Sequence, residues 1–344
     1  MRRYEHGGDF YGDARITHDF SINVSPLGMP DAAKRAVKEQ IDAFTRYPDP
    51  HCRALRGALA QKHNVPLEQI LCGNGAADLI FRTCACLKPS RALILAPTFS
   101  EYERPVKLFG GDVREYRLRE SEEFQLTDEI LSALTSEIDL FFLCNPNNPT
   151  GKLAQPELLR RIADTCARNG TWLMVDECFI EFTRGESIIP LLRDHPNLLI
   201  LRAFTKFYGL AGLRLGYMLG DAELLQRIAP FGAEWSVSSA AQAAGLGALQ
   251  EPDWSERTRA LVETERAYMQ AELAALGLTV FASGANFLLV KSPAALHAAL
   301  KARGILVRNC ANFTGLDERF IRIGLQTREH NAALIRAIRE VLHG

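Results

Sequence analysis

Between about residues 70 and 245 the chain alternates short apolar runs with amphipathic stretches. The runs are ALILA at 92–96, DLFFLC at 139–144, TWLMVDE at 171–177, NLLILRAF at 197–204 and LGYMLG at 215–220. Each is the length of a strand, and none alternates apolar with polar residues, so both faces are expected to be covered. QPELLRRIADTCARNG, between two of these runs, carries apolar residues at helical spacing and ends on a glycine stop. Strand–helix alternation of this kind requires a mostly parallel sheet clothed in helices, an α/β fold.

The pattern changes after Pro252. WSERTRALVETERAYMQAELAALG reads as one long charged amphipathic helix closed by Gly277. Short strand candidates (LTVFAS, NFLLVKS, ILVRNC, RFIRIGL) and two further helices follow. The division expected is an N-terminal arm at 1–30, rich in Gly, Pro and Asn, a large domain at 31–250, and a small α+β domain at 251–344. With 344 residues the chain is long enough for two domains and a sizeable core. A net charge of −1 gives no argument for nucleic acid or a membrane surface as partner. The N-terminus, MRRYEHGGDFYGD, lacks a signal-peptide apolar stretch, and no run is long enough to span a bilayer. The eight cysteines form no CxxC pair and several lie in apolar runs, as expected of reduced, buried thiols in a cytoplasmic protein, and no metal site is expected.

Chemistry concentrates where the strand candidates end. Asp176 closes one apolar run, and Lys206 follows the next by a few residues. Ligands of α/β sheets bind at the carboxyl ends of strands. NPNNPTG at 145–151 follows a third run, and GNGAADLI at 73–80 is a glycine-rich turn opening a helix, whose free N–H groups suit a phosphate. A buried lysine is costly unless its charge is paired or lost. Lysine, carboxylate, phosphate cradle and a second cation, Arg214, together suggest pyridoxal phosphate: the lysine joins the aldehyde, the aspartate holds the ring nitrogen, and the cradle holds the phosphate. Singly, each has a plainer reading. The lysine could start an exposed helix, the aspartate could cap one, NPNNPTG could be a tight turn, and Arg214 could pair on the surface.

The set NPNNPTG, VDE, TK and GLRLG resembles the fold-type-I, aspartate-aminotransferase-like enzymes, and within them the histidinol-phosphate aminotransferase group. HGGD at 6–9, DFSINVSPLGMP at 19–30, TRYPDP at 45–50, TKFYGLAGLR and RNCANFTGL at 308–316 are similar to a branch of that group that decarboxylates L-threonine O-3-phosphate in cobalamin biosynthesis. The alternative within the group is an aminotransferase for histidinol phosphate or an aromatic amino acid. The resemblance implies a homodimer acting on a phosphorylated amino acid with pyridoxal 5'-phosphate. It assigns Lys206 to the aldehyde, Asp176 to the ring nitrogen, Asn148 to the ring hydroxyl and substrate carboxylate, and Phe99 to the ring face. Gly75, Ala76, Thr205 and Arg214 match phosphate contacts, and Tyr47 matches a tyrosine reaching the neighbouring subunit's cofactor. Arg322 matches the arginine that grips the substrate carboxylate. Arg308 is a candidate for the substrate phosphate, with the arm around His6, Gly8, Ser21 and Asn23. Two positions depart from the group: Phe179 replaces a tyrosine on the ring hydroxyl, and Ala203 replaces a hydroxyl residue near the phosphate.

Overall fold

The structure, a computed structural model, describes Gly7, Gly8, Tyr11 and residues 15–343. Its centre is a seven-stranded sheet built from β2 (Ile70–Gly73), β3 (Arg91–Ala96), β4 (Asp112–Arg117), β5 (Leu140–Cys144), β6 (Trp172–Asp176), β7 (Leu198–Ala203) and β8 (Gly216–Gly220). The spatial order is β2-β8-β7-β6-β5-β3-β4. The strands from β3 to β7 pair in parallel, and β8 runs antiparallel to both β7 and β2. The mostly parallel α/β fold expected from the apolar runs is therefore the fold observed.

The apolar runs have a simple cause. Successive side chains of a strand point to opposite faces. Phe141, Leu143, Leu173, Val175, Leu198 and Ile200 enter one core. Leu140, Phe142, Met174, Leu199 and Leu201, their alternate neighbours, enter a second core on the other face. Helices cover both. The helix predicted after NPNNPTG spans Pro156–Asn169 and stops at Gly170, whose φ is +71°. Edge strand β4 escaped sequence analysis because DVREYR is mostly exposed and shows no apolar run.

The long helix after Pro252 spans Trp254–Ala275. It leads into a four-stranded antiparallel sheet of order β12-β13-β10-β9, with β9 at Thr279–Val280, β10 at Phe287–Lys291, β12 at Arg308–Asn309 and β13 at Phe320–Gly324. Helices Leu296–Ala302 and Arg328–His343 complete this part. The arm, expected to be irregular, contains a short strand, β1 (His18–Asp19), paired in parallel with β11 (Ile305–Leu306). Phe20 clamps the same region: its N–H donates to Leu306 O at 2.7 Å, and its carbonyl accepts from Gly324 N at 2.8 Å. No helix among the described residues is long and apolar enough to cross a membrane. All eight cysteines are free, and six of them are buried. No group of metal-binding side chains occurs among the described residues.

Candidate active site

Neighbouring strands end level with one another, and this assembles the site. Cys144 at the end of β5 is the register partner of Asp176 at the end of β6, which in turn pairs with Leu201 near the end of β7. The chain then supplies Asn148, Asp176 and Lys206 to one cavity of about 260 Å³. The Asp176 carboxylate is buried, yet both oxygens have partners. Oδ1 accepts the Cys178 backbone N–H at 2.9 Å, and Oδ2 accepts the Tyr102 hydroxyl at 2.7 Å. Lys206 sits in the single helical turn Phe204–Phe207 that follows β7. Burial, and then the nearby charge of Arg322, bring its amine down from 10.5 to about 8. About a tenth of it is therefore neutral and nucleophilic at pH 7.

The glycine-rich turn forms a cradle beside the lysine. The helix Ala76–Leu87 begins at Gly75 with no side chain capping its first N–H groups. Gly75 has φ +80°, and a Cβ there would fall 2.6 Å from Arg214 Nη2. Glycine is thus what lets the guanidinium lie against the helix N-terminus. Ala76, Thr205 and Arg214 line the same cavity, as does Phe99. Phe179 is buried with its ring edge-on to Phe287, 5.0 Å between centroids, and offers no donor. Ala203 likewise lines the cavity without a hydroxyl.

Two buried arginines form the opposite wall. Arg308 on β12 and Arg322 on β13 are direct register partners. The guanidinium of Arg322 donates through Nη2 to Ser21 O at 2.8 Å and through Nη1 to Asn148 Oδ1. Its Nε is buried without a hydrogen-bond partner. Because Asn148 accepts through its oxygen, its N–H donors are what it offers a ligand. Burial, and then the charge of Arg308, lower Arg322 to about 10. Arg308 donates to Asn309 O at 2.8 Å and Asn312 Oδ1 at 2.9 Å, and its guanidinium lies over the Phe313 ring at 5.3 Å. Two adjacent cations in low dielectric make this wall a receptor for anions.

The arm reaches the cavity through Gly7, Ser21 and Asn23. Ser21 is fixed by Asp19, whose Oδ1 accepts both the Ser21 N–H at 2.8 Å and its hydroxyl at 2.5 Å. Gly8 stands behind this wall, its N–H donating to Ser21 Oγ at 2.7 Å, so the cavity is bordered by Gly7 instead. His6 lies outside the described residues. Tyr47 is 81% exposed and lies tilted against Trp235, 4.8 Å between centroids, away from the cavity of its own chain. Cys144 and Cys178 also border the cavity. Burial, and then the Asp176 charge, push the Cys178 thiol well above its usual range, so it stays protonated. Sequence analysis missed Tyr102, Asp19 and Phe313. The only local signal for Tyr102 was its place three residues after Phe99 in PTFSEY.

The donor set matches pyridoxal phosphate: an amine for the aldehyde, a carboxylate for the ring nitrogen, an uncapped helix N-terminus with a guanidinium for the phosphate, and an aromatic ring for the face. These features define a class, and the comparisons agree. The chain belongs to the aminotransferase class I and II family, whose sequence pattern matches residues 15–338. It has the fold-type-I architecture, and the cofactor of this family is pyridoxal phosphate. Within the family it is 42% identical to the threonine-phosphate decarboxylase of Salmonella typhimurium over 332 residues, covering 95% of this chain and 91% of that one. Among solved structures, the histidinol-phosphate aminotransferase of Clostridium acetobutylicum superposes with a TM-score of 0.88 at 28% identity, covering 94% of this chain and 99% of the other. The L-threonine-O-3-phosphate decarboxylase of Porphyromonas gingivalis superposes with a TM-score of 0.83 at 29% identity, over 94% and 99%.

Proposed function

We propose that this chain is a pyridoxal-phosphate-dependent carbon–carbon lyase that decarboxylates L-threonine O-3-phosphate to (R)-1-amino-2-propanol O-2-phosphate, a reaction serving cobalamin biosynthesis. One observation carries the reading: Arg308 and Arg322 stand side by side across a strand pair, facing the cavity that holds Lys206. A substrate with a carboxylate at one end and a phosphate at the other suits two adjacent cations. Histidinol phosphate, which has no carboxylate, uses only one of them. The 42% identity to a threonine-phosphate decarboxylase supports the same choice.

When bound, pyridoxal phosphate supplies a protonated ring that takes up the electron pair left by the departing carboxylate. Gly75, Ala76, Thr205 and Arg214 would hold its phosphate; Asn148 would donate to its ring hydroxyl without help from Phe179; Phe99 would cover its face; and Asp176 would hold its ring nitrogen. Arg322 grips the substrate carboxylate through the fork that includes the unpartnered Nε, and Asn148 adds a donor. Arg308 takes the substrate phosphate, with Gly7, Ser21 and Asn23 of the arm bordering that end. Anchoring both ends of the substrate, Arg322 and Arg308 would fix its torsion about Cα and so decide which bond to Cα is labilised. Loss of CO₂ leaves an electron pair that must be protonated at Cα. Lys206, whose pKa of about 8 allows it to hold and release a proton near neutrality, delivers it. The net reaction consumes one proton and one substrate and yields CO₂ and the amine.

The working unit is a homodimer in which Tyr47, exposed in its own chain, reaches the partner's cofactor phosphate. The arm at 1–30, the large domain at 31–250 and the small domain at 251–344 are its parts. A product assay with threonine phosphate, serine phosphate and histidinol phosphate in parallel tests the function. Release of CO₂ and aminopropanol phosphate from the first is expected. Conversion of histidinol phosphate in the presence of 2-oxoglutarate, with no CO₂ from threonine phosphate, would replace the proposal with an aminotransferase.

A further inference from the structure

Asp176 is held from two sides, and the second holder lies outside its own strand and loop, in the short helical turn Ser100–Tyr102. The Cys178 N–H on Oδ1 comes from the aspartate's own loop. The Tyr102 hydroxyl on Oδ2 comes from the segment after β3, 74 residues away in sequence. Tyr102 is itself immobilised. It is wholly buried, stacks on Phe142 of β5 with ring centroids 5.0 Å apart, and meets Phe99 edge-on at 5.5 Å. One side chain therefore touches both the carboxylate proposed for the ring nitrogen and the aromatic proposed for the ring face.

We infer that Tyr102 is a positioning residue for the cofactor, setting the orientation of Asp176 through its hydroxyl and that of Phe99 through its ring. Its O–H is a permanent donor, because burial and the Asp176 charge push its pKa well above the ordinary tyrosine value. A donor on Oδ2 removes one side of the carboxylate from competition. The carboxylate then has a single well-defined direction left in which to meet a ring N–H. A carboxylate free to rotate about its Cβ–Cγ bond would have to be ordered each time the cofactor entered.

The inference rests on Asp176 being the ring-nitrogen partner, and a double-mutant cycle separates the two questions. Dissociation constants for pyridoxal phosphate are measured on apo-protein for wild type, Tyr102→Phe, Asp176→Asn and the double variant. Failure of wild type to bind pyridoxal phosphate would overturn the reading of Asp176 itself. With wild-type binding established, Tyr102→Phe removes only the hydroxyl and keeps both ring contacts. The bond exists with and without cofactor, so its loss reaches affinity only through the need to order Asp176 anew at each binding event, a weakening of roughly threefold to tenfold. In the Asp176→Asn background, the same change is expected to weaken binding by no more than about twofold, as for groups that act through one another. The pH midpoint of the bound cofactor's visible absorbance is expected to move in Tyr102→Phe. A purely packing role would lower the melting temperature of apo-protein without moving that midpoint. An equal loss of affinity in both backgrounds, or an unmoved midpoint with unchanged affinity, would overturn the inference.

Discussion

Replacing Arg322 with alanine separates the two ends of the proposed substrate. The guanidinium already spends one N–H on Asn148 Oδ1 and one on Ser21 O, and its Nε has no partner. The fork left for a ligand is thus a carboxylate-sized pair of donors. Truncating one partner of a buried, hydrogen-bonded charge pair costs about 2–5 kcal/mol. At 1.4 kcal/mol per decade, that is roughly 30- to 4,000-fold in affinity. The variant also strips a donor from Asn148 Oδ1 and Ser21 O, at about 1–3 kcal/mol for each buried acceptor left unmade. That cost falls on the free and the liganded protein alike, so it lowers stability more than affinity. The discriminating measurement uses the reaction product, which keeps the phosphate and the amine but has lost the carboxylate. For Arg322→Ala, kcat/KM for threonine phosphate is expected to fall by at least ~30-fold. The inhibition constant of aminopropanol phosphate is expected to stay within about twofold, the scatter of independent sites. A parallel rise of that inhibition constant, or an unchanged kcat/KM, would refute the assignment of Arg322 to the carboxylate.

Lys206→Met should stabilise the apo-protein at pH 7, because the folded state holds this amine at a pKa of about 8 against 10.5 when unfolded. The cost of the buried charge is fully present below pH 8 and fades as pH rises from 8 to 10.5, where the unfolded chain binds the extra proton. The melting-temperature gain of the variant should shrink over that window; a gain independent of pH would contradict it. Gly75→Ala places a Cβ 2.6 Å from Arg214 Nη2 at a φ of +80°. Backbone strain of about 1–3 kcal/mol should lower stability, and displacement of the guanidinium, a charge-assisted contact, should raise the dissociation constant of pyridoxal phosphate about tenfold or more by equilibrium dialysis. Mixing Lys206→Ala, which lacks the aldehyde-binding amine, with Tyr47→Ala, which should bind cofactor more weakly, should bring the cofactor affinity of the active sites in hybrid dimers back to the wild-type value, since one site then combines an intact lysine with the neighbour's intact tyrosine. Absence of recovery, with hybrids verified by mass spectrometry, would place Tyr47 outside the partner's site.

The legibility of this molecule in its sequence divides along a physical line. Strands β5, β6 and β7 could be read because sheets covered on both faces leave no polar alternation, and Asp176 and Lys206 stood out as the polar residues that interrupt or follow them. The glycine turn was readable because GNGAADLI opens a helix with free N–H groups, whereas the approach of Arg214 to Gly75 at a positive φ is visible only in three dimensions. Strand β4 was hidden because an edge strand with a wet face carries no apolar run. LGYMLG was recognisable as a strand, but its antiparallel direction depends on where β2 lies, which no local pattern records. Tyr102 and Asp19 act through single long-range or turn hydrogen bonds, and one hydroxyl or carboxylate leaves no periodic trace.

The clamp of Phe20 between Leu306 and Gly324, with Ser21 O on Arg322, has a consequence for biosynthesis. The Arg322 side of the cavity is closed by segments some three hundred positions apart in the chain. During synthesis the seven-stranded sheet, with the glycine turn and Arg214, is therefore complete long before that side exists. The cavity closes only once β13 has emerged and captured the segment at Phe20 and Ser21.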